Sequence, residues 1–184
     1  MENSIACTLP DCTFCKLIDP KLAVDFFLQE SNAIESVYDQ DSLQQARYAW
    51  EYLIAEEKLT GGVILKTHKI LMLHQKIHGY QRGYWRTEQV GVYKGNKLIR
   101  ECLDWHRITT EMKSWLYIDE RVITAQFPEE WTKQQHIRFE LIHPFIDGNG
   151  RIGRMLLNWR RLKMGLPLLI IHSENKQDYY KWFE

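Results

Sequence analysis

The sequence predicts a mainly helical protein with one short β-hairpin. Apolar residues make up 45% of the 184 residues, a normal content for a globular chain. Over most of the chain they recur at three- and four-residue steps, the period of a helix with one buried face. Residues 83–93 are instead rich in strand formers and precede the turn signal at 94–96, Lys-Gly-Asn.

Apolar stripes predict the first three helices. The first covers residues 20–36, and its stripe is Leu22, Val24, Phe26, Phe27, Ala33 and Ile34. The second covers residues 42–58, and its stripe is Leu43, Ala46, Ala49, Trp50, Leu53 and Ile54. The turn formers Thr60, Gly61 and Gly62 separate it from a third helix at 63–78.

Four more helices are predicted after the hairpin, at 101–118, 129–142, 151–164 and 174–183. Pro144 disfavours helical geometry at His143, which sets one boundary. Gly165 and Pro167 set another. We expect residues 21–184 to form a single domain and residues 1–20 to be a flexible N-terminal segment.

Charge and hydropathy exclude several classes of function. Lysine plus arginine equals aspartate plus glutamate, 24 each, so no overall field attracts nucleic acid or an anionic membrane. The longest apolar run, near residues 166–171, is too short to cross a bilayer. The first residues lack the features of a secretory signal. We expect a cytoplasmic protein, although export by another route would leave the same sequence.

Three of the four cysteines, Cys7, Cys12 and Cys15, are clustered near the N-terminus. A closed zinc site needs four ligands, and no histidine lies near this cluster. Cys102 could complete a set only if the chain folded back over a long distance. A reduced segment without metal is the preferred interpretation.

Residues 143–150 have the composition of a phosphate-binding loop. Gly148-Asn149-Gly150 tolerates unusual backbone angles, so successive amide groups can point into one concavity. A helix N-terminus follows directly, with unpaired amides and the positive end of the helix dipole. The loop and the helix together favour binding of a polyphosphate.

The side chains around this loop fit the same chemistry. Arg151 and Arg154 lie one helical turn apart and can grip phosphate oxygens. Asp147 offers the hard carboxylate oxygen that Mg²⁺ prefers beside substrate phosphates. His143 can titrate near neutral pH and is a candidate general base. Each feature alone is common on ordinary surfaces, but their combination within twelve residues indicates a catalytic site.

Residues 143–154 read HPFIDGNGRIGR and match, without departure, the Fic family pattern His-x-Phe-x-(Asp/Glu)-Gly-Asn-Gly-Arg-x-x-Arg. The chain therefore resembles the Fic family, and the resemblance extends over most of its length. It implies a helical bundle with a β-hairpin flap. It also implies transfer of AMP from Mg-ATP to a serine, threonine or tyrosine hydroxyl of a target protein.

The resemblance assigns roles to the residues of the loop. His143 would take the proton of the target hydroxyl, and Asp147 would hold the Mg²⁺ that bridges the ATP phosphates. The hydroxyl would attack the α-phosphorus in line, and pyrophosphate would leave. Phe145 is expected to pack into the core beneath the loop.

The phosphate contacts follow in the same way. Backbone amides around Gly148 and Gly150, together with Asn149, would form the anion hole at the α- and β-phosphates. Arg151 would bind the β-phosphate and Arg154 the γ-phosphate.

Two further segments are expected to contact substrates. Tyr180 and, with weaker support, Tyr179 resemble residues that contact adenine, with a purely structural role as the alternative. Residues 83–92 resemble the flap that binds a target peptide by adding a strand. The flap residues expected at the target are Thr87, Glu88, Gln89, Val90, Gly91 and Val92.

An inhibitory motif is expected in the first helix, at about residues 21–36. Ser31-Asn32-Ala33-Ile34-Glu35-Ser36 resembles the family motif (Ser/Thr)-x-x-x-Glu-(Gly/Asn) and departs from it at Ser36. Glu35 would pair with Arg154 in the place of the γ-phosphate, so that ATP binds unproductively, and Ser31 belongs to the same motif. Relatives with this arrangement also remove AMP, which is a secondary expectation here.

Two alternative functions stay open. A Fic-fold enzyme could instead transfer phosphate, another nucleotide or phosphocholine, although the phosphate-transferring Doc proteins differ from Gly148-Asn149-Gly150. The chain could also be a non-catalytic helical module that binds a protein partner. Self-modification and a homodimer are left open, and the sequence does not identify the target.

Overall fold

Helices dominate the computed structural model, which describes residues 19–94, 96–121 and 126–183. Its helices are α1 (Pro20–Ile34), α2 (Gln40–Ala55), α3 (Gly61–Leu71), α4 (Ile108–Arg121), α5 (Pro128–Ile142), α6 (Asn149–Lys163) and α7 (Lys176–Tyr180). Two strands, β1 (Gly91–Lys94) and β2 (Lys97–Glu101), form one antiparallel hairpin. The predicted fold class, mainly helical with a β-hairpin, is confirmed.

Capping residues explain where the first helices begin. Asp19 accepts a hydrogen bond from the amide of Lys21 at the start of α1, and Asp39 accepts one from the amide of Ser42 in α2. Thr60 caps α3 by accepting from the amide of Val63. These side chains satisfy amides that have no partner within the helix.

Helix α6 occupies the centre of the fold. It packs against α5 and also contacts α1, α2 and α3. Its residues from Arg151 to Arg161 are all buried, although this stretch contains four arginines. Since a buried charge is costly unless it is paired, these arginines require partners supplied by the surrounding helices.

Four predictions about the bounds of elements were wrong. The third helix ends at Leu71 rather than residue 78. The strand predicted to begin at residue 83 begins at Gly91, and residue 101 belongs to β2, so that α4 begins at Ile108. The last predicted helix is divided into three pieces, α7 and the two short 3₁₀ turns that flank it.

The described residues bear on the expectations about cysteines and about membrane crossing. Cys7, Cys12 and Cys15 lie outside the described residues, whereas Cys102 is buried and forms no disulfide. Among the described helices, none has both the length and the apolar character needed to cross a bilayer.

Candidate active site

The loop between α5 and α6 has a fixed backbone. The side chain of Asn149 closes it, because its Oδ1 accepts from the Phe145 amide at 2.9 Å and its Nδ2 donates to the Phe145 carbonyl at 2.8 Å. Phe145 is fully buried and stacks on His68, with ring centroids 3.8 Å apart. Asn149 therefore holds the loop with its side chain, and Phe145 anchors the loop in the core.

His143 ends α5 with a left-handed backbone, φ 51° and ψ 62°. Such angles are unfavourable for a residue other than glycine, so the surrounding structure must hold them. Burial, followed by the nearby charge of Arg100, lowers the pKa of His143 to about 4. The imidazole is therefore neutral at pH 7, which is the form that can accept a proton.

Arg86 holds the backbone around His143 by hydrogen bonds. Its amide donates to the Pro144 carbonyl at 2.9 Å, and its Nε donates to the His143 carbonyl at 2.8 Å. The remaining guanidinium nitrogens donate to the carbonyls of Glu88, at 2.7 Å, and Leu103. Arg86 thus joins the loop that bears His143 to both ends of the hairpin segment. This role was not predicted, because no local pattern marks a basic residue that will become buried.

Backbone amides and Arg151 surround the start of α6. Gly148 is the N-cap residue with φ 79°, and a β-carbon there would lie 2.8 Å from Met72 Sδ. The Nε and Nη1 atoms of Arg151 are buried and have no hydrogen-bond partner among residues 19–94, 96–121 and 126–183. A guanidinium with free donors beside a helix N-terminus is a receptor for an anion.

Arg154 is occupied by α1. Its Nε donates to Ser31 Oγ at 2.9 Å, and its Nη2 donates to the Ser31 carbonyl at 2.8 Å and to Glu35 Oε1 at 2.7 Å. Its Nη1 lies 3.3 Å from the Tyr179 hydroxyl. Burial would lower the pKa of Arg154, but Tyr179 and Glu35 outweigh it, so the pKa is raised. Arg154 is charged, and one of its partners is a carboxylate.

The Glu35 carboxylate lies beside Gly150, at the start of α6. A β-carbon added to Gly150 would collide with it. The Glu35 side chain is 36% exposed, whereas that of Arg154 is 2% exposed. Glu35 thus covers the arginine while it remains open to solvent.

The backbone at the end of α1 explains why glycine or asparagine is usual in the inhibitory motif at the position of Ser36. The amides of Ser36 and Val37 donate to the carbonyls of Ala33 and Asn32, both at 3.0 Å, which is a Schellman motif. Ser36 is left-handed, with φ 59°. Glycine or asparagine is favoured at this position, which gives a physical reason for the residues usual in the motif.

Asp147 lies beside Arg151 just before α6, with an exposed carboxylate that could bind a cation. Its side chain is 52% exposed, and its Oδ1 accepts from the Gly148 amide at 2.6 Å. Its Oδ2 lies 3.8 Å from Arg151 Nη2. No group of three or more metal-ligating side chains occurs among the described residues. One exposed carboxylate fits Mg²⁺, which keeps several waters and takes other ligands from substrate phosphates.

The two tyrosines differ in position. Tyr179 is 4% exposed, and its hydroxyl bonds His136 as well as Arg154, so it belongs to the buried polar core. Tyr180 is 38% exposed and is the one with a surface available to a ligand.

The predicted flap residues do not all lie in a strand. Gly91 and Val92 belong to β1, whereas Thr87, Glu88, Gln89 and Val90 precede it. The Gln89 side chain donates to the Cys102 carbonyl at 2.7 Å, and the Cys102 amide donates to the Val90 carbonyl at 3.1 Å. These bonds extend the pairing of the hairpin towards the loop that bears His143.

Comparison with known proteins places this arrangement in a family context. The model of the Fic/DOC family matches residues 60–160, which is more than half of the chain. "Protein adenylyltransferase Fic" from Drosophila erecta is 26% identical over 172 residues, which cover 91% of this chain and 32% of that protein. The protein of the same description from Nematostella vectensis is 30% identical over 126 residues, which cover 68% and 28%. The chain therefore spans about a third or less of the curated relatives it matches.

Solved structures resemble the fold. A Fic family protein from Desulfovibrio desulfuricans superposes with a TM-score of 0.71 at 25% identity, covering 89% of this chain and 57% of that one. A Fic-domain-containing signaling protein from Bacteroides thetaiotaomicron superposes with a TM-score of 0.74 at 21% identity, covering 88% and 70%. The second likeness concerns the fold alone.

Proposed function

The chain belongs to the Fic/DOC family, and from that premise we propose that it transfers AMP from Mg-ATP to a serine, threonine or tyrosine hydroxyl of a protein. The observation that carries the proposal is the contact of Glu35 with Arg154 at the start of α6. A carboxylate there occupies a buried arginine suited to the terminal phosphate of a nucleotide. The curated relatives, named as protein adenylyltransferases, point to the same chemistry.

The triphosphate would lie along the start of α6. The backbone amide of Gly150 lies at the positive end of the helix dipole, whereas the Gly148 amide is bonded to Asp147 and would have to leave it to reach a phosphate. Arg151 has free donors for the β-phosphate, and Arg154 would exchange Glu35 for the γ-phosphate. Because both Asn149 side-chain groups are used within the loop, its contribution to the anion hole would come from its backbone amide. The half-exposed Tyr180 is the candidate for contact with adenine.

Asp147 would hold the Mg²⁺. When bound, the ion would neutralise charge on the phosphates of ATP. The Asp147 carboxylate is exposed enough to reach a ligand, and the Gly148 amide fixes one of its oxygens.

His143 would act as the general base. Its neutral imidazole would take the proton of the target hydroxyl, whose oxygen would bond to the α-phosphorus as the bond to pyrophosphate breaks. The Arg86 contacts hold the backbone of His143 while this happens. The hairpin would present the hydroxyl by pairing with an extended target segment, which reads backbone rather than sequence.

Glu35 and Ser31 would inhibit the transfer. While Glu35 occupies Arg154, the γ-phosphate cannot reach that guanidinium, so ATP would bind in a pose unsuited to in-line attack. The exposed part of the same carboxylate could also position water for removal of AMP. Release of labelled AMP from modified protein by the wild type, but not by a Glu35→Gln variant, would test this second activity.

Labelled ATP tests the proposed function. The Glu35→Gly variant is incubated with α-labelled or γ-labelled ATP, Mg²⁺ and a cell lysate, and labelled proteins are separated. Kinases of the lysate also transfer γ-label, so the baseline is the same lysate with the His143→Ala variant, and above it we expect additional label on protein from the α-position only. Label from the γ-position would indicate phosphate transfer instead.

A base-deficient control distinguishes catalysis from simple binding. His143→Ala in the same background should lower the rate on the order of 10²- to 10⁴-fold. An undiminished rate would contradict the assignment of His143, and absence of label in every variant would favour a binding module.

A further inference from the structure

Glu140 lies one turn before His143 on α5 and is buried, with 7% of its surface exposed. Its Oε2 lies 4.0 Å from His143 Nδ1. Within the described part of the chain, neither Glu140 Oε1 nor His143 Nδ1 has a hydrogen-bond partner. Buried polar atoms without partners are costly. The oxygen that faces Nδ1 is Oε2, and Oε1 is the one without a partner, so a small rotation of the carboxyl group would bring an acceptor to Nδ1.

Space for this carboxyl group is provided by Gly153 in α6. A β-carbon at Gly153 would collide with Glu140 Oε1 and would lie 3.0 Å from His136 Cε1. On the other side, Arg100 of β2 donates from Nη2 to the Glu140 carbonyl at 3.0 Å. The carboxyl therefore lies between α5 and α6, with Oε1 beside Gly153 and Oε2 on the side of His143.

The base role of His143 requires a particular tautomer. Nδ1 faces Glu140, so Nε2 is the nitrogen left for the target hydroxyl. For Nε2 to carry the free lone pair, the proton of the neutral ring must be on Nδ1. An acceptor at Nδ1 selects that tautomer and fixes the ring plane.

We propose that Glu140 is the positioning residue for His143, accepting the Nδ1–H hydrogen bond so that Nε2 can receive the proton of the target hydroxyl. This inference rests on the proposed transferase function. Hydrogen bonds to a catalytic base are often long without substrate, and the 4.0 Å separation closes when nucleotide and target are bound. The hydroxyl proton moves to Nε2, and the Nδ1 proton stays in its bond to Glu140.

The acceptor acts as a neutral group. Burial raises the pKa of Glu140 to about 8, so the carboxyl is largely protonated at pH 7. Since His143 is neutral as well, the contact is not an ion pair. The carbonyl oxygen of the protonated acid accepts from Nδ1, and a glutamine carbonyl can do the same.

Enzyme kinetics in the Glu35→Gly background test the proposal. Glu140→Leu, which has similar size but no acceptor, should lower kcat about 10- to 100-fold with little change in KM for ATP. Glu140→Gln should restore most of the rate. Gln135→Leu is the matched control, because Gln135 is also a buried polar residue of α5, and this variant should keep the parent kcat.

Unchanged kcat in Glu140→Leu would overturn the proposal. So would a loss that glutamine does not restore, or an equal loss in the Gln135→Leu control. A change confined to KM for ATP would assign Glu140 to nucleotide binding instead.

The tautomer itself gives a readout that does not depend on transfer activity. In ¹⁵N-labelled protein, the ring nitrogen shifts of His143, assigned with the His143→Ala variant, should show Nδ1–H in the Glu35→Gly protein with ATP and Mg²⁺ bound. Glu140→Leu should move the ring towards Nε2–H, and Glu140→Gln should not. The same tautomer in all three proteins refutes positioning by Glu140, whereas absent AMP transfer with the expected tautomer shift refutes only the transferase function.

Discussion

Replacing Glu35 by glycine should raise the rate of AMP transfer about ten- to thirtyfold. The variant removes the hydrogen bond from Arg154 Nη2 to the carboxylate, 2.7 Å long. A hydrogen bond to a charged group contributes about 1.5–3 kcal/mol to stability. The Glu35 side chain is 36% exposed, and water screens such a contact, so we take the lower part of that range, about 1.5–2 kcal/mol.

This free energy sets the expected activation. If the γ-phosphate and Glu35 compete for Arg154, the free energy of the contact is the bias against the productive pose. A factor of ten corresponds to about 1.4 kcal/mol, which gives the stated range. Arg154 itself stays in place in the variant, because Ser31 keeps two of its hydrogen bonds.

The assay is a time course of self-modification and of label transfer to lysate proteins from α-labelled ATP. Ser36→Gly is the matched control, since it introduces glycine at the next position and leaves the carboxylate. It should not activate. Equal rates for Glu35→Gly and wild type would refute the reasoning, and equal activation by Ser36→Gly would show that the effect does not come from removal of the carboxylate.

Three further predictions concern stability. Ser36→Gly should raise the free energy of unfolding on the order of 1 kcal/mol, measured by thermal unfolding, because φ 59° is unfavourable for serine. Arg86→Leu should lower the free energy of unfolding by about 3 kcal/mol or more, since three carbonyls lose their donor; denaturant titration measures it. Folding raises the pKa of Glu140 from 4.5 to about 8. Between pH 4.5 and 8 the folded chain therefore binds more protons than the unfolded chain, and the free energy of unfolding falls as pH rises. Glu140→Gln should flatten this pH dependence of the free energy of unfolding above pH 7. His136 and His143, with folded pKa values of about 3 and 4, add no slope there because both are neutral in the folded and the unfolded chain.

The local sequence predicted those parts of the fold whose cause is local. Apolar spacing located the helices, and the glycines with Pro144 located the loop between α5 and α6. It failed at residues 72–78, which were predicted to continue the third helix although the chain leaves the helix at Leu71. There the Arg82 guanidinium donates to the carbonyls of Gln75 and Ile77, at 2.8 and 3.1 Å, so side-chain hydrogen bonds within this turn replace helical bonds.

The structure brings together the residues of the 143–154 motif and Glu35 of the inhibitory motif, while their roles in catalysis stay predictions. Arg86 and His68 support the loop from distant segments, and their contacts follow only from the packing of the chain. Glu140 was missed although a signal existed. It lies three residues before His143 on a predicted helix, a spacing that places both side chains on one face.

The way in which α1 is docked limits how Glu35 can release Arg154. Helix α1 is held to α2 by the ion pair of Asp25 with Arg47, at 2.7 Å, and by the edge-to-face contact of Phe27 with Trp50. Separating the whole helix would expose Phe27, which is 2% exposed, and would leave the buried Arg154 without Ser31. Burying one phenylalanine side chain contributes about 1.5–3 kcal/mol, which alone is similar to the Glu35 contact. Rotation of the half-exposed Glu35 side chain breaks one hydrogen bond and leaves the core intact, so it is the lower-energy route by which ATP would gain Arg154.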